Sequence, residues 1–560
     1  MKMSFVSLSV ASLSLLFFCT ACNKQKGETT YIPGSAAVVV GFNLPQLESK
    51  LDTNAIKKSS LYQQMLTQTT DSSFRNIFLH PSTMGIDLTA DIYGFLERDK
   101  HFGKGYLGLV AGLSDRGKLE GFLKAHYPSM AVRSSGDLGH MNINGNEMIG
   151  WNNHVVMVFR KISSGNENPG QDLDTGKTMT FLKVFQQLNS QSTSASVTGI
   201  SQFSSPEQTG DDISFFLNVA QVYQVMAGYG KNPLLSMIVK PDLYDGCYGW
   251  AGLVFGKSSI RVKTKYYLND RMGNAARKLL SGRPVDRALL ERIPTDSPLA
   301  VMAISINPSG IKNYLNDLNL EGLADAALSQ KGNSGLDTTL KAFQGGLILA
   351  VTHVGRQISS MSPADTSTMG KIEQAYSALG WLAVLTVGDT SSMDKLLSQV
   401  ATMGMLVRDG PMSYHISLGH SGMSMGFASN SRMIVLGSSQ DLVNQYVSGS
   451  ASGPKQVLDP LYGNPLGFYL DIHGLSTTMA AADSSKGKRK HMPGWLFNNL
   501  YVTGGGLSGN TESGTLTLSM MNHRQNSLMQ LVNTAIRSHD REMKRKQSRM
   551  GTDSTQSSNR

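Results

Sequence analysis

Apolar and polar residues alternate along the chain in short blocks, and the same order of blocks occurs twice. One apolar run ends at Asn43 and a similar run ends at Asn307, and each is followed closely by a proline, Pro45 or Pro308. Asn is a common helix cap and proline is tolerated in the first turn, so each run is typical of a strand that leads into a helix.

Further correspondences follow in the same order in the two halves. The matched segments are 105–110 with 380–385, 140–143 with 415–418, 215–219 with 468–472, and 260–267 with 514–521. Polar pairs such as Asn152-Asn153 and Asn430-Ser431 interrupt the apolar alternation and predict hairpin turns. The pattern predicts an α+β fold, with antiparallel sheets backed by helices and two tandem similar halves.

The repeat divides the chain into modules in the order A, B, A, B. The predicted segments are a signal peptide at 1–21, a tether at 22–30, module A1 at 31–162, a linker at 163–212, module B1 at 213–285, module A2 at 297–450, module B2 at 465–538 and a basic disordered tail at 539–560. An amphipathic stretch at 179–188 predicts a short helix in the linker, and the Ser-rich stretch 359–368 predicts a surface loop in A2.

The N-terminus has the pattern of a bacterial lipoprotein signal peptide. Lys2 precedes an apolar run that is shorter than the ~20 residues of a membrane-spanning helix. Small residues come before Cys22 and polar residues come after it, so we predict cleavage before Cys22 and attachment of lipid such as palmitate to this residue. Cys19 stands where the motif usually has Leu, so ordinary cleavage between Ala21 and Cys22, without lipid, is the alternative.

Cysteine usage is consistent with export of the chain. After cleavage and lipid attachment, Cys247 is the one free thiol left, so no intramolecular disulfide can form. The 560 residues are long enough to build several domains on hydrophobic cores alone. We expect the mature chain in the cell envelope, anchored by lipid to a membrane, with the outer membrane favoured.

The formal net charge of +10 is concentrated in two segments. Residues 537–560 carry +4, and four basic side chains within 486–490 carry another +4. Such local charge is typical of a solvated loop and a frayed tail, with contact to anionic lipid or polysaccharide as the alternative. We therefore predict no nucleic-acid partner.

Two glycine-rich stretches have the spacing of nucleotide-binding motifs. In 112–118, Leu119 follows where a Ser or Thr would hold magnesium, and 103–108 begins a strand instead of following one. We interpret both as structural turns and predict no cofactor.

Hydrolase and metal signatures are incomplete. Ser392 and Lys395 have the spacing of a serine acyl enzyme without its companion motifs, so we place Ser392 near a helix cap. His415 and His420 have no carboxylate or cysteine close in sequence that would complete a zinc site, so no metal is predicted. A glycosidase needs two carboxylates that folding brings together, and the candidates by sequence proximity are Asp87, Asp91, Asp242 and Asp245.

Several short motifs resemble one family. Ile32-Pro33, the run 37–40, the stretch 85–88 ahead of an aromatic strand, and 106–110 are similar to an uncharacterised family of Gram-negative envelope lipoproteins defined only as a domain of unknown function. The resemblance covers most of the mature chain. It implies a lipobox and an envelope location, and it supplies no catalytic residue or ligand.

The leading hypothesis is a non-enzymatic, membrane-anchored scaffold or binding protein with a protein or glycan partner, because the matched positions of the halves are mostly apolar. One alternative is a polysaccharide or peptide hydrolase with carboxylates between the halves. Another is a carrier of an apolar ligand, for which a deep Met-lined cavity would be expected among the 29 methionines.

Overall fold

The structure of the chain, a computed structural model, describes most of its length. The described residues are 27–68, 81–98, 105–144, 146–162, 179–203, 210–227, 241–280, 283–317, 320–329, 335–354, 379–416, 425–449, 455–484 and 496–557. Several predicted features lie outside the described residues: the signal peptide, lipid attachment at Cys22, the surface loop at 359–368 and the basic loop at 486–490.

Strands recur along the whole described chain. They are β1 (Val38–Phe42), β2 (Ile92–Glu97), β3 (Tyr106–Gly112), β4 (Arg133–Ser135), β5 (Leu138–Asn144), β6 (Glu147–Trp151), β7 (Val155–Lys161), β8 (Ile213–Asn218), β9 (Tyr248–Phe255), β10 (Ser259–Tyr267), β11 (Ala300–Ser305), β12 (Phe343–Val354), β13 (Leu379–Val387), β14 (Leu406–Gly410), β15 (Ser413–Ile416), β16 (Gly426–Ser429), β17 (Met433–Gly437), β18 (Leu466–Asp471), β19 (Phe497–Ser508) and β20 (Thr511–Met520).

Helices connect many of these strands. They are α1 (Leu44–Ser49), α2 (Thr53–Lys57), α3 (Ser60–Gln68), α4 (Arg116–His126), α5 (Met179–Ser190), α6 (Val219–Ala227), α7 (Asp270–Leu279), α8 (Arg287–Leu290), α9 (Pro308–Asp317), α10 (Glu321–Ser329), α11 (Leu336–Ala342), α12 (Thr390–Thr402), α13 (Gln440–Ser448), α14 (Lys455–Leu458), α15 (Ile472–Ser484) and α16 (Ser527–Ser557). Within the described residues, none of these helices is long and apolar enough to cross a membrane.

The chain forms two compact units. Unit 1 comprises the described residues of 1–45 and 71–207, and unit 2 comprises those of 46–70 and 208–560. The segment 46–70, which lies between β1 and β2 in sequence, therefore packs with unit 2. There the Asp52 N–H donates to Met529 Sδ at 3.5 Å, and the Ser60 hydroxyl donates to the Asp540 carboxylate.

Unit 1 is built on an antiparallel sheet with the strand order β1–β2–β3–β7–β6–β5–β4. Neighbouring side chains along a strand point to opposite faces. On one face, Phe181 and Phe185 of α5 pack against Phe159 of β7, and Tyr106 of β3 meets Phe181 edge to face. The α5 helix thus confirms the short helix predicted at 179–188.

The opposite face of this sheet is covered at one end by α4. Leu119 and Leu123 of the helix form a buried cluster with Ala111, Met141 and Trp151 of the strands. The sheet of unit 1 therefore has helices on both faces.

Unit 2 contains a longer antiparallel sheet. Its strand order is β8–β9–β10–β20–β19–β18–β11–β12–β13–β17–β16, and β14 pairs with β15 as a separate hairpin. The pair β10 and β20 is in continuous register from Ser259 opposite Ser519 to Tyr267 opposite Thr511. The largest core of this unit includes Tyr446, whose hydroxyl donates to the Leu289 carbonyl at 2.8 Å.

These sheets confirm the predicted α+β class with antiparallel sheets backed by helices. Two predicted hairpin turns are also confirmed, because Asn152 Oδ1 accepts the His154 and Val155 N–H groups, and Asn430 Oδ1 accepts those of Arg432 and Met433. The similarity of two tandem halves and the four-module division stay predictions.

The structure differs from the sequence prediction at the C-terminus. Residues 539–557 continue α16 as a helix where the charge and polarity predicted a disordered tail. Arg, Lys, Glu, Gln and Met are strong helix formers, and neither Gly nor Pro occurs in α16 before Gly551. The intrinsic helix propensity of this segment therefore outweighs its high charge.

A cavity in unit 2 as the candidate functional site

A cavity of about 530 Å³ opens on the surface of unit 2. It lies where the end of α7 and the segment leading into α8 meet β11, β12 and β13. The lining residues are Arg277, Leu280, Arg283, Pro284, Val285, Asp286, Leu289, Ser305, Ile306, Asn307, Gln344, Gly346, Leu347, Ile348, Val384 and Thr386. Its volume is within the range of roughly 300 to 1,000 Å³ that is common for small-molecule sites.

The floor of the cavity is part of the hydrophobic core. Val285, Leu289, Ile348 and Val384 belong to the largest buried cluster of the unit, and Ile348 and Val384 are each only 1% exposed. All four side chains are aliphatic and carry no hydrogen-bonding group. At 1 to 8% exposure, these side chains present little surface to the cavity, so most of its exposed lining comes from the other residues.

A bulge in β12 forms one wall. The pairing of β12 with β13 shifts register between Phe343 and Leu347, and Gly345 within this stretch has φ of +111°. A Cβ atom on Gly345 would lie 1.8 Å from the Ile306 carbonyl oxygen, so only glycine fits. The Ile306 N–H donates to the Gly345 carbonyl at 3.1 Å, which closes the wall between β12 and the end of β11.

The same wall continues to β13 through a side chain. The Gly346 N–H donates to Thr386 Oγ1 at 2.7 Å, which satisfies a backbone donor that the bulge removes from the regular ladder. Asn307 is held in a similar way, because its Nδ2 donates to the Lys278 carbonyl at 3.0 Å. The walls are therefore fixed by hydrogen bonds as well as by packing.

The rim of the cavity is polar and contains two arginines. Arg277 is oriented by hydrogen bonds from its guanidinium to the Gly509 carbonyl and to the side-chain oxygens of Asn274 and Asn510. Arg283 is exposed on the segment that follows α7. Asp286 is the one carboxylate among the residues that line the cavity, and its Oδ1 already accepts the Ala288 N–H at the start of α8.

A second polar cluster lies elsewhere in unit 2. Lys50 Nζ is 2.5 Å from both carboxylate oxygens of Asp212, which is fully buried, and Asp212 also accepts the Phe255 N–H at 2.6 Å. Burial raises the pKa of the neighbouring Asp211 to about 6, the Lys263 charge opposes this shift, and the Asp212 charge adds to it. The cluster fastens the segment 46–70 to unit 2.

The carboxylates proposed from sequence proximity do not line the cavity. Asp87 forms a local turn by accepting the Thr89 N–H at 2.9 Å, and Asp91 accepts the Tyr93 hydroxyl at 3.1 Å. Burial raises the pKa of Asp91, and Asp242 and Asp245 are exposed. None of the four residues therefore contributes to this candidate site.

The other sequence motifs have structural roles. The stretch 112–118 joins β3 to α4, and Asp115 caps the helix by accepting the Lys118 N–H, as a structural turn predicts. Ser392 lies in the first turn of α12, where its N–H is capped by Asp389. His415 does have a nearby carboxylate, because Nδ1 lies 2.8 Å from Asp409 Oδ2 across the β14–β15 hairpin, whereas His420 lies outside the described residues.

Within the part of the chain that the structure describes, no group of three or more His, Cys, Asp or Glu side chains could hold a metal ion. Cys247 is fully buried, and its sulfur accepts the Asn269 N–H at 3.3 Å. Burial raises the pKa of this thiol, so it is a structural residue of the core.

Sequence reasoning missed the cavity. Its residues come from the end of a helix, a connecting segment and three strands, and no motif joins them. The one available signal was the pair Gly345-Gly346 inside an apolar strand, since glycine within a strand often marks a bulge.

Comparison with known proteins identifies one family. A family model described as "Domain of unknown function (DUF4836)" matches residues 29–443. No curated protein is significantly similar to the chain.

Two crystal forms of TP0453 are among the solved structures that match. Crystal form III is 10% identical with a TM-score of 0.25, covering 44% of this chain and 82% of that chain. Crystal form IV is 11% identical with a TM-score of 0.25, covering 45% of this chain and 85% of that chain. These scores are too low to define a shared fold.

Proposed function

The chain belongs to the family described as a domain of unknown function (DUF4836), whose model spans most of its length. Since that description gives no activity, we propose a function from the geometry of unit 2. The protein is a non-enzymatic envelope lipoprotein, held at a membrane by lipid on Cys22, and it binds a small ligand in the cavity. The ligand-binding part is supported by a cavity of about 530 Å³ that opens on the surface and has Arg277 and Arg283 at its rim.

The cavity supports binding more than hydrolysis. A glycoside hydrolase needs two carboxyl groups roughly 5 to 9.5 Å apart. Among the described residues, Asp286 is the one carboxylate that lines the cavity, and it already caps α8 by accepting the Ala288 N–H. The sequence alone favoured a protein or glycan partner, and the geometry favours a ligand small enough to enter about 530 Å³.

The anchoring part rests on the sequence around Cys22. The intact mass of the protein purified from membranes tests the anchor. A Cys22→Ala variant is the comparison, and we expect it in the soluble fraction. A diacyl or triacyl mass on Cys22 supports the anchor. An unmodified chain that begins at Cys22 overturns it and leaves a free exported protein.

Native mass spectrometry of the protein isolated from its own cells tests the ligand-binding part. The wild type should carry a bound small molecule, and Val384→Phe, which fills the floor, should not. Val387→Phe is a matched control, because Val387 is also buried on β13 but does not line the cavity. A wild-type protein without any bound molecule, or equal occupancy in all three proteins, would count against binding at this site.

A further inference from the structure

We infer that a basic surface around α16 is a second membrane contact of this protein, which binds the anionic head groups of a phospholipid bilayer. This surface, the α16 patch, consists of Arg537, Arg541 and Lys544 of α16 with Lys57 and Lys58 at the end of α2. It belongs to unit 2, and none of its residues lines the cavity. The contact adds to the lipid anchor proposed at Cys22, and it can be tested without that anchor.

Burial along α16 shows how the helix is oriented. The partly buried residues of its C-terminal part follow the spacing of one helix face: Ile536, His539, Asp540 and Met543. On that face the Ser60 hydroxyl of α3 donates to the Asp540 carboxylate. The helix therefore packs on α3 along one side and leaves the residues between these positions exposed to water.

The exposed side of this part of α16 is mainly basic. The exposed residues between 537 and 545 are Arg537, Ser538, Arg541, Glu542, Lys544 and Arg545. At 3.6 residues per turn, Arg537, Arg541 and Lys544 lie within about 60° of one another around the helix axis and span about 10 Å along it. None of these three forms an ion pair with a carboxylate among the described residues. Their charges therefore remain available to a partner outside the protein.

Lys57 and Lys58 add two exposed cations beside the contact between α3 and α16. Lys58 is two residues before Ser60, which donates to Asp540. Two carboxylates lie in 537–545: Asp540 already accepts the Ser60 hydroxyl, and Glu542 lies at least about 100° around the axis from each of the three α16 cations. Five cations and two carboxylates give this surface a net charge of +3.

A bilayer fits this surface better than a small anion does. Exposed charges attract one partner charge only weakly, so cations spread over two elements suit a surface with many negative charges. Each Lys or Arg near an anionic bilayer raises binding about fivefold. Resting on the proposed anchor at Cys22, the bilayer is favoured over nucleic acid and over an anionic polysaccharide, because the lipid would keep the chain beside the head groups.

Vesicle co-sedimentation of the full chain carrying Cys22→Ala, which has no lipid of its own, tests the inference. Vesicles of phosphatidylglycerol mixed with phosphatidylcholine should bind the protein on the order of 100-fold more tightly than vesicles of phosphatidylcholine alone, since the patch has a net charge of +3. Raising the ionic strength from about 0.05 M to about 0.5 M should remove most of this preference, because salt screens exposed charges.

Two triple variants separate the α16 patch from the charge of the whole chain. The test variant is Arg537→Gln with Arg541→Gln and Lys544→Gln, and it should bind both kinds of vesicle about equally, because it leaves no net positive charge on the patch. Gln keeps the helix propensity of the segment. The control removes the same charge from exposed positions on β10, on α11 and between β16 and β17: Arg261→Gln, Lys341→Gln and Arg432→Gln. It should keep the preference of the wild type for anionic vesicles.

Equal binding of the wild type to both kinds of vesicle, or the same loss in the two triple variants, overturns the inference. Tighter binding to duplex DNA or to polygalacturonate than to the vesicles, at equal concentration of negative charge, assigns the patch to another polyanion and overturns it as well. The proposed anchor fails separately. A diacyl or triacyl mass on Cys22 without vesicle binding keeps the anchor and removes this contact, whereas vesicle binding with an unmodified Cys22 keeps the contact and removes the anchor.

Discussion

Lys50 and Asp212 form a buried ion pair that joins distant parts of the sequence. Lys50 Nζ lies 2.5 Å from both Asp212 oxygens, and the two side chains are 19% and 0% exposed. The segment that carries Lys50 lies between two strands of unit 1 in sequence but packs with unit 2. This pair is therefore a main attachment of the segment 46–70 to the unit that contains the cavity.

Lys50→Met should lower the free energy of unfolding of unit 2 by about 3 kcal/mol, because it leaves the Asp212 charge buried without a cation. Lys57→Met on α2, where the lysine is exposed, is the control and should change the free energy by less than about 0.5 kcal/mol. Urea unfolding followed by tryptophan fluorescence measures both. The double variant Lys50→Met with Asp212→Leu should recover part of the loss, and equal stability of Lys50→Met and wild type would show that the pair contributes nothing.

The free energy of unfolding should fall as the pH rises, because Asp211 loses its proton in the folded chain. Burial raises its pKa to about 6 in the folded chain, above the ordinary value of 3.8, so the folded state holds this proton more tightly than the unfolded state. The stabilisation is complete below pH about 4 and is lost as the pH rises through about 6, with a difference of about 2 to 3 kcal/mol. Lys263 and Asp212 are the charges that act on it.

Urea midpoints at pH 4.5 and pH 7.5 measure this effect by comparing wild type with Asp211→Asn. Other groups titrate in the same window, so the quantity of interest is the stability difference between the two proteins. It should shift in favour of Asp211→Asn at pH 7.5. The same difference at both pH values would contradict a raised pKa.

Val384→Phe should lower the free energy of unfolding by less than Val387→Phe does. Val384 lines the cavity, so a larger side chain there can extend toward open space, whereas Val387→Phe on the same strand forces a ring into a packed cluster with Met393 and Leu397. We expect Val387→Phe to lose about 1 to 3 kcal/mol and Val384→Phe to lose clearly less. Thermal unfolding of ligand-free protein compares the two, and an equal loss would mean that the space beside Val384 cannot accept a side chain.

Gly345→Ala in the wall of the cavity should lower the free energy of unfolding of unit 2. The added Cβ meets the Ile306 carbonyl and the positive φ is unfavourable for alanine, so a loss of about 2 to 3 kcal/mol is expected. Gly322→Ala on α10 is the control, because no atom lies within 4 Å of its Cβ position, and it should gain about 0.5 kcal/mol. Chemical denaturation of both variants measures this contrast. A Gly345→Ala protein as stable as wild type would show that the bulge can relax.

The sequence predicted the regular parts of the fold because they depend on local pattern. The alternation of 260–267 predicted a strand, and this stretch lies within β10; the Asn152 and Asn430 turns follow from the hydrogen bonds of a single side chain. The cavity and the Lys50–Asp212 pair depend on residues that are far apart in sequence, with 162 positions separating the two partners of the ion pair. Local periodicity contains no information about such pairings.

At the C-terminus, a local property of the chain led to a wrong prediction. High charge predicted disorder for residues 539–557, but their side chains are strong helix formers that extend α16. Likewise, Asp409 was not recognised as the partner of His415, because the turn between β14 and β15 brings together residues that are six positions apart.

A crystal structure of the chain as isolated from its own cells would show whether the unit 2 cavity holds a ligand. We expect non-protein electron density in the cavity that lies between Leu289 and Arg283. A cavity that contains only ordered water, or one closed by the surrounding side chains, would contradict it.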